Sequence, residues 1–512
     1  MENTFVCIAE SLKPALIEGT VRPVGLVRPI ADPKAFQGWR IERVAPIGDL
    51  QEMAFGQGDA IVLDFGDHLV GRLTLSLRSV LARADSPVRL KLTFGEMPCE
   101  IAESFDDYKG WLNRSWLQDE TMNFDVVPGT YALPRRYTFR YLKIDVISPE
   151  RKFKIAFDDL FVTTVTSGDL SRVPALPDAV PDDLREMDRI AVKTLQDCMQ
   201  TVFEDGPKRD RRLWIGDLRL QAQANYATFG NLELVRRCLY LFAGLRLDGG
   251  QVGACVYEVP EPAADDIYLY DYALFFVSTL HDYHEASRDR ETLGQLWPIA
   301  YEQIHLALAR LDERGIVKDD DSWYCFTDWH ERLNKQASAQ AVLVFAMKHG
   351  LALAEELGQG DEAAFIRERI DRASDAAIRH LWDAEQGFFV SGADRQVSWA
   401  SQAWMVLAGV FGAEDNAAML DRLFASDPAV RPMTPYMYHH LIEALLVSGR
   451  KEKALEQMRA YWGEMARDGA DTFWETYQPS DKRHSPYGSN LVNSYCHAWS
   501  CTPTYFIRRY FN

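Results

Sequence analysis

The sequence predicts a multidomain β + α chain, with an N-terminal β-sandwich or jelly roll followed by an (α/α)6 helical barrel. Three observations lead there: apolar–polar alternation of period two in the first third, a proline-rich break, and an apolar period close to 3.6 from the break onward. At 512 residues the chain exceeds what one core of ordinary size organises, so several domains are expected. The expected division is a β-domain over 1–170, a linker over 171–182 and the barrel over 183–512.

The β elements come first. Residues 60–66 form a short apolar run ending at Gly66, residues 71–78 and 88–94 alternate strictly, and 137–147 is the longest alternating run. Such alternation marks strands with one buried face, and several of them make a two-layered sheet the economical fold. Pro174, Pro177 and Pro181 then interrupt any regular pattern. Asp182 and Asp183 follow as candidate N-caps of the first helix. Helical periodicity covers 183–203, 217–245, 267–288, 291–313, 335–357, 360–381, 398–410, 414–426, 434–448, 451–467 and 490–510. No repeat signature accompanies it, which favours a closed toroid of helical hairpins over a solenoid.

Composition removes several classes of function. The formal net charge of −19 repels phosphate backbones and anionic lipid, so neither nucleic acid nor a membrane surface is an expected partner. No stretch approaches the roughly 20 apolar residues a bilayer span requires, and the start lacks the basic and apolar regions of a secretory signal. Eight scattered cysteines without a CxxC pair suggest reduced thiols and a cytoplasmic protein. GxSxG, HExxH and GxxxxGK[ST] are missing, and His439-His440 has no partner at metal-ligand spacing.

The chemistry-bearing residues fall in loops between helices. Segment 204–217 interleaves Asp205, Asp210 and Asp217 with Arg209, Arg211 and Arg212, framed by Gly206 and Pro207 and followed closely by Trp214. Acids crowded with bases in one loop have their pKa values driven apart, as a general acid requires; a solvated ion-pair loop reads the same way. Segment 469–479 sets Glu475 among Phe473, Trp474 and Tyr477, and segment 493–500 supplies His497 and Trp499. Acid–aromatic mixtures at 265–272 (Asp271) and 321–330 (Trp323, Asp328, Trp329) suit hydroxyl recognition and ring stacking. Capping and core packing explain these two equally well.

At these residues the chain resembles glycoside hydrolase family 78, the α-L-rhamnosidases of the six-hairpin glycosidase superfamily. Residues 63–66, the strand at Gly71 and residues 136–142 resemble the family's β-sandwich. The 205–217 loop resembles its Asp-x-Pro loop, with Asp210 where the family usually has a Glu general acid and Gly206 where well-known members have Cys. Trp474-Glu475 resembles the general-base segment, His497 falls at the substrate-binding His, and Thr434-Pro-Tyr436 resembles the late hairpin.

The resemblance implies an exo-acting inverting hydrolase releasing terminal L-rhamnose from small glycosides, without metal or organic cofactor. Asp210 is then the acid and Glu475 the base, with carboxyls roughly 6.5–9.5 Å apart. Asp205, Asp217 and His497 would meet sugar hydroxyls, and Arg209 would pair with one of the aspartates. Trp214, Trp329 and Trp474 would form apolar walls, with Asp271, Trp323 and Asp328 also contributing to substrate binding. Two alternatives remain at this point: a lyase on the same toroid using Arg209, Tyr477 and His497, and a non-catalytic carbohydrate-binding protein.

Overall fold

The computed structural model describes residues 2–148 and 152–512. A short helix, α1 (Glu2–Ser11), which period-two reading did not anticipate, precedes the strands. The β-domain contains β1 (Ile17–Val21), β2 (Gly25–Ala31), β3 (Trp39–Pro46), β4 (Ala60–Val80), β5 (Val88–Gly95), β6 (Asp119–Phe124), β7 (Gly129–Ala132), β8 (Tyr137–Ser148) and β9 (Lys154–Thr166), with α2 (Pro98–Ala102) after β5. The pairings of these strands are antiparallel, and β2, β7, β8 and β9 all pair directly with β4. Its register breaks between Asp64 and Leu69, where the Asp64 carboxylate accepts the Gly66 amide at 2.8 Å and Gly66 takes φ +88°. That conformation favours glycine. Before the break β4 pairs with β2 and β8, and beyond it mainly with β7 and β9. One bent strand therefore serves both layers, which close on a shared core including Leu63, Leu75, Leu92, Phe139, Leu142 and Val162.

Among the described residues twelve helices follow: α3 (Asp182–Cys198), α4 (Ile215–Ala227), α5 (Leu232–Gly244), α6 (Tyr270–Ser287), α7 (Arg290–Leu308), α8 (Gln336–Leu357), α9 (Gly360–His380), α10 (Trp399–Ala408), α11 (Ala413–Ser426), α12 (Pro435–Val447), α13 (Lys451–Arg467) and α14 (Pro503–Tyr510). Helices α4, α6, α8, α10 and α12 pack each on the next, α12 meets α14 through His439 against Phe506, and α14 returns to α4 to close an inner ring. Sequence explains the partition. Helices α4, α8, α10 and α12 bury residues all round, as central helices must, whereas α9, α11 and α13 bury only a stripe. By length and composition α8 could cross a membrane, but 78% of its apolar window is buried within the ring. The axis is filled by Phe275, Phe345, Trp404, Tyr436 and His440, all buried and in mutual ring contact.

Three expectations are corrected. Residues 217–245 are two helices, broken where Gly230 takes φ +61°. Asp182 and Asp183 lie in the first turn of α3 rather than capping it; Pro181 is the N-cap, and Asp183 pairs with Arg459 at 2.6 Å. Of 490–510, only Pro503–Tyr510 is α-helical, preceded by single turns at Asn490–Val492 and Ala498–Ser500.

Inner helices alternate with outer ones, so all six inner N-termini emerge at one rim. Of the segments singled out for chemistry, 204–217, 265–272, 321–330 and 493–500 lie just before or at the start of an inner helix, and 469–479 directly follows the end of the outer helix α13. Topology alone gathers them around one mouth. The β-domain sits against the same rim: Phe36, Met97 and Cys99 join the helical core. At the chain start, the wholly buried Arg237 of α5 donates to the Ala9 carbonyl and to Glu10, tying α1 to the helices.

Candidate active site

The 204–214 loop is cinched at its neck. The Asp205 amide donates to the Arg212 carbonyl at 2.9 Å and the Arg211 amide to the Gly206 carbonyl at 3.1 Å. The Asp205 carboxylate accepts the amides of Asp210 (3.1 Å) and Arg212 (3.0 Å). A Cβ on Gly206 would meet the Arg209 carbonyl oxygen at 2.5 Å and Ser494 Oγ at 2.9 Å, so this close approach requires glycine. The loop presents Asp210, half-buried, and then Trp214 at the start of a small sheet of β10 (Leu213–Trp214), β11 (Cys255–Tyr257) and β12 (Ala263–Ala264). Asp217 follows in the first turn of α4, where the helix dipole favours a negative charge.

Glu475 arrives from the segment after α13. Its amide donates to the Ser494 carbonyl at 3.1 Å, and its carbonyl accepts Trp499 Nε1 at 2.9 Å. Its carboxylate pairs with Arg209 and accepts the Tyr487 hydroxyl at 2.6 Å. Arg209 is held in turn by the Val492 carbonyl at 2.7 Å and lies over the Tyr487 ring, 4.1 Å from its centroid. Arg209 thus pairs with Glu475, not with an aspartate of its own loop, because its guanidinium is drawn across to the 487–492 segment.

These groups line a cavity of about 290 Å³. Asp205, Arg209, Asp210, Trp214, Asp217, Trp329, Glu475 and His497 all face it, joined by Trp499, Tyr272, Phe326, Tyr487, Leu269, Ile267, Trp111 and Leu112. Burial, followed by the nearby Asp210 charge, holds the Asp205 carboxyl above the usual carboxylate range. Burial, with Asp205 and Glu475 close by, raises Asp217 well above it. Burial also raises Glu475, against the opposing pull of Arg209. Burial and the Arg209 charge keep the His497 imidazole neutral. His497 Nδ1 lies 3.6 Å from Asp217, and its Nε2 lies 3.8 Å from Glu475 and 3.9 Å from Asp205, too long for direct hydrogen bonds. Asp217 Oδ1, His497 Nδ1 and Trp214 Nε1 are buried without a protein partner.

Four residues expected here lie elsewhere. The wholly buried Asp271 accepts the amides of Phe326 (2.9 Å) and Thr327 (2.8 Å) and so shapes the loop that carries Phe326. Asp328 accepts from the Met433 and Thr434 amides and the Thr434 hydroxyl, docking that loop on the start of α12. Trp323 packs edge-on to Tyr270 and donates to the Lys318 carbonyl. Trp474 turns away from its neighbour Glu475 to stack on Phe36 at 3.9 Å between the domains. Tyr477, the base the lyase alternative needs, donates to Asp468 at 2.6 Å and does not line the cavity. Tyr487, Trp111 and Leu112 were not expected. The available signal for Trp111 was a run of aromatics, Phe105, Tyr108, Trp111 and Trp116, in a stretch without period-two alternation.

The fold has close parallels. Residues 23–164 match the family model for the glycosyl hydrolase family 78 alpha-rhamnosidase N-terminal domain, and residues 181–511 match that for the bacterial alpha-L-rhamnosidase six-hairpin glycosidase domain. A rhamnosidase from Klebsiella oxytoca, solved with rhamnose bound, is 48% identical, covers 100% of this chain and 99% of its own, and superposes with a TM-score of 0.97. The family 78 rhamnosidase of Bacillus sp. GL1 shares the fold at 23% identity and TM-score 0.74, over 91% of this chain and 49% of that one. The α-L-rhamnosidase of Aspergillus terreus shares it at 16% identity and TM-score 0.69, over 89% and 52%. Among curated proteins none matches the chain. With both family domains matched in order along the chain, this protein belongs to glycoside hydrolase family 78, the α-L-rhamnosidases.

Proposed function

We propose that the chain removes terminal L-rhamnose from small glycosides by single displacement with inversion, Asp210 serving as acid and Glu475 as base. The observation that carries the site assignment is the set of unpartnered polar atoms, Asp217 Oδ1, His497 Nδ1 and Trp214 Nε1, converging on one apolar-walled cavity. Buried polar groups without partners are uncommon, and sugar hydroxyls satisfy all three. Asp205 is committed to the backbone of its own loop, and Asp217, 2% exposed, offers its unpartnered Oδ1 to a sugar hydroxyl. Asp210 is the half-buried carboxyl of the loop, and we assign it to the leaving oxygen.

In the reaction, Glu475 takes a proton from a water molecule as the water oxygen bonds to the anomeric carbon. The bond from that carbon to the leaving oxygen breaks, and Asp210 gives that oxygen its proton. Asp210 is left as carboxylate and Glu475 as acid; exchange with solvent restores both. Arg209 and Tyr487 hold Glu475 in place, and Arg209 favours its ionised, basic form. Cytoplasmic action is part of the same proposal, supported by eight free thiols, seven of them buried.

Proton NMR of p-nitrophenyl α-L-rhamnoside hydrolysis tests the stereochemistry: β-L-rhamnose appears first, and the α-anomer appearing first would overturn inversion. Asp210→Asn loses roughly 10²–10⁴ in kcat on methyl α-L-rhamnoside and less on the nitrophenyl substrate, whose leaving group needs little acid help. Equal losses on both would remove Asp210 from the acid's role.

Glu475 must be ionised, so activity falls as pH drops through its pKa, which lies above the ordinary value of about 4.3. Arg209 pulls that pKa down, so Arg209→Gln moves the acidic limb of kcat/KM upward by about 1–3 units, whereas Arg209→Lys moves it less. An unmoved limb in Arg209→Gln would mean that another group sets it.

A further inference from the structure

The cavity changes character from floor to mouth. The polar groups sit on the catalytic loops, while toward solvent the lining becomes apolar and passes onto the β-domain. Trp499 and Tyr487 are 4% and 5% exposed, Trp329 is half-buried, and Trp111 is 71% exposed. They form a continuous series: Trp329 stands 5.4 Å from Trp499 and 5.7 Å from Tyr487, and Tyr487 stands 5.4 Å from Trp111, centroid to centroid. Ile267, 39% exposed, and Leu112 also line this outer part.

Trp111 is not a loose surface side chain. Its indole N–H donates to the Pro486 carbonyl and its backbone N–H to the Tyr487 carbonyl, both at 3.1 Å. A large aromatic is therefore fixed at both ends beside the mouth, with most of its surface open to water. Fixing an aromatic before ligand arrives lowers the ordering cost of stacking on it.

We infer that Trp111, with Leu112, is a leaving-group platform supplied by the β-domain, and that it selects rhamnosides whose leaving group is a flat aryl ring system. The inference rests on the rhamnosidase reading above. The sugar fills the polar floor, so the group beyond the scissile oxygen lies against the apolar mouth. An aryl group there finds ring faces and aliphatic side chains.

The test compares wild type, Trp111→Ala and Trp111→Phe, as full-length proteins, on 4-methylumbelliferyl and methyl α-L-rhamnosides, with L-rhamnose inhibition measured in parallel. Trp111→Ala should lose about five- to ten-fold in kcat/KM on the aryl substrate, stay within two-fold on the methyl substrate, and keep the wild-type inhibition constant for L-rhamnose. Trp111→Phe should recover most of the loss. An equal loss on both substrates, or none on the aryl one, overturns the platform while leaving the rhamnosidase reading intact. Wild-type protein that neither cleaves these rhamnosides nor binds L-rhamnose overturns both. The rhamnose constant shows whether Trp111→Ala keeps its folded site, and Trp111→Phe decides the matter if it does not.

Discussion

Glu475→Gln is expected to lower kcat on an aryl α-L-rhamnoside by roughly 10²–10⁴ while KM changes by no more than a few fold. Gln keeps the size of the side chain and still accepts the Tyr487 hydroxyl, but it cannot take a proton from water. It also strips Arg209 of its buried counter-ion. Breaking one side of such a pair costs roughly 3–5 kcal/mol, so the variant should also melt earlier, and the kinetics need a control for that. Azide supplies it, because azide attacks without deprotonation. In Glu475→Ala it should restore turnover and yield the inverted glycosyl azide. A Glu475→Gln enzyme within ten-fold of wild type would remove Glu475 from the base's role.

The second large effect is expected at a residue outside the cavity lining. Lys208, next to Arg209, is 1% exposed and pairs with Glu100 of α2, while also donating to the carbonyls of Leu491 (3.1 Å) and Asn493 (2.8 Å). Glu100 accepts the Glu96 and Met97 amides, and Glu96 accepts the Tyr495 amide. One ammonium thus holds the catalytic loop, the 490–497 segment and the β-domain together.

Lys208→Met should destabilise the protein by roughly 3–5 kcal/mol, and Lys208→Met/Glu100→Gln should recover part of that, as coupled neighbours do. Burial raises the Glu100 pKa, and Lys208 opposes the rise. A raised carboxyl favours the fold in acid, and that advantage is lost as pH climbs from about 4.3 through the folded pKa. Without Lys208 the folded pKa rises further, so the variant's deficit in melting temperature should be larger at pH 8 than at pH 5. A variant melting like wild type at both values would show that the ammonium contributes nothing to the interface.

Much of this site was legible, for physical reasons that differ by residue. The 205–217 loop declared itself because Gly206 and Pro207 bar a helix while three acids and three arginines crowd together. The rim was legible from helix order alone. Trp474 was misplaced because it shares a motif with Glu475; in irregular backbone, neighbours point to opposite sides, and Phe36 lay ready on the other. Segment 490–502 was read as helix because its apolar residues recur at helical intervals. Its carbonyls at 491, 492 and 493 accept instead from Lys208 and Arg209, and that at 494 from the Glu475 amide, which diverts them from a helical ladder. Trp111 reaches the mouth across almost a hundred residues of chain from the catalytic loop, a contact no local pattern encodes.

The aromatic plug along the barrel axis has a kinetic consequence. Tyr436, part of that plug, touches both Tyr272 and Phe326 of the cavity wall. The passage is blind, so arrival and departure share a door. The sugar goes in ahead of what it is attached to and comes out behind it: the leaving group clears first, and the free monosaccharide last. Each encounter trims a single terminal unit, and accumulated monosaccharide competes with the next substrate for the same berth.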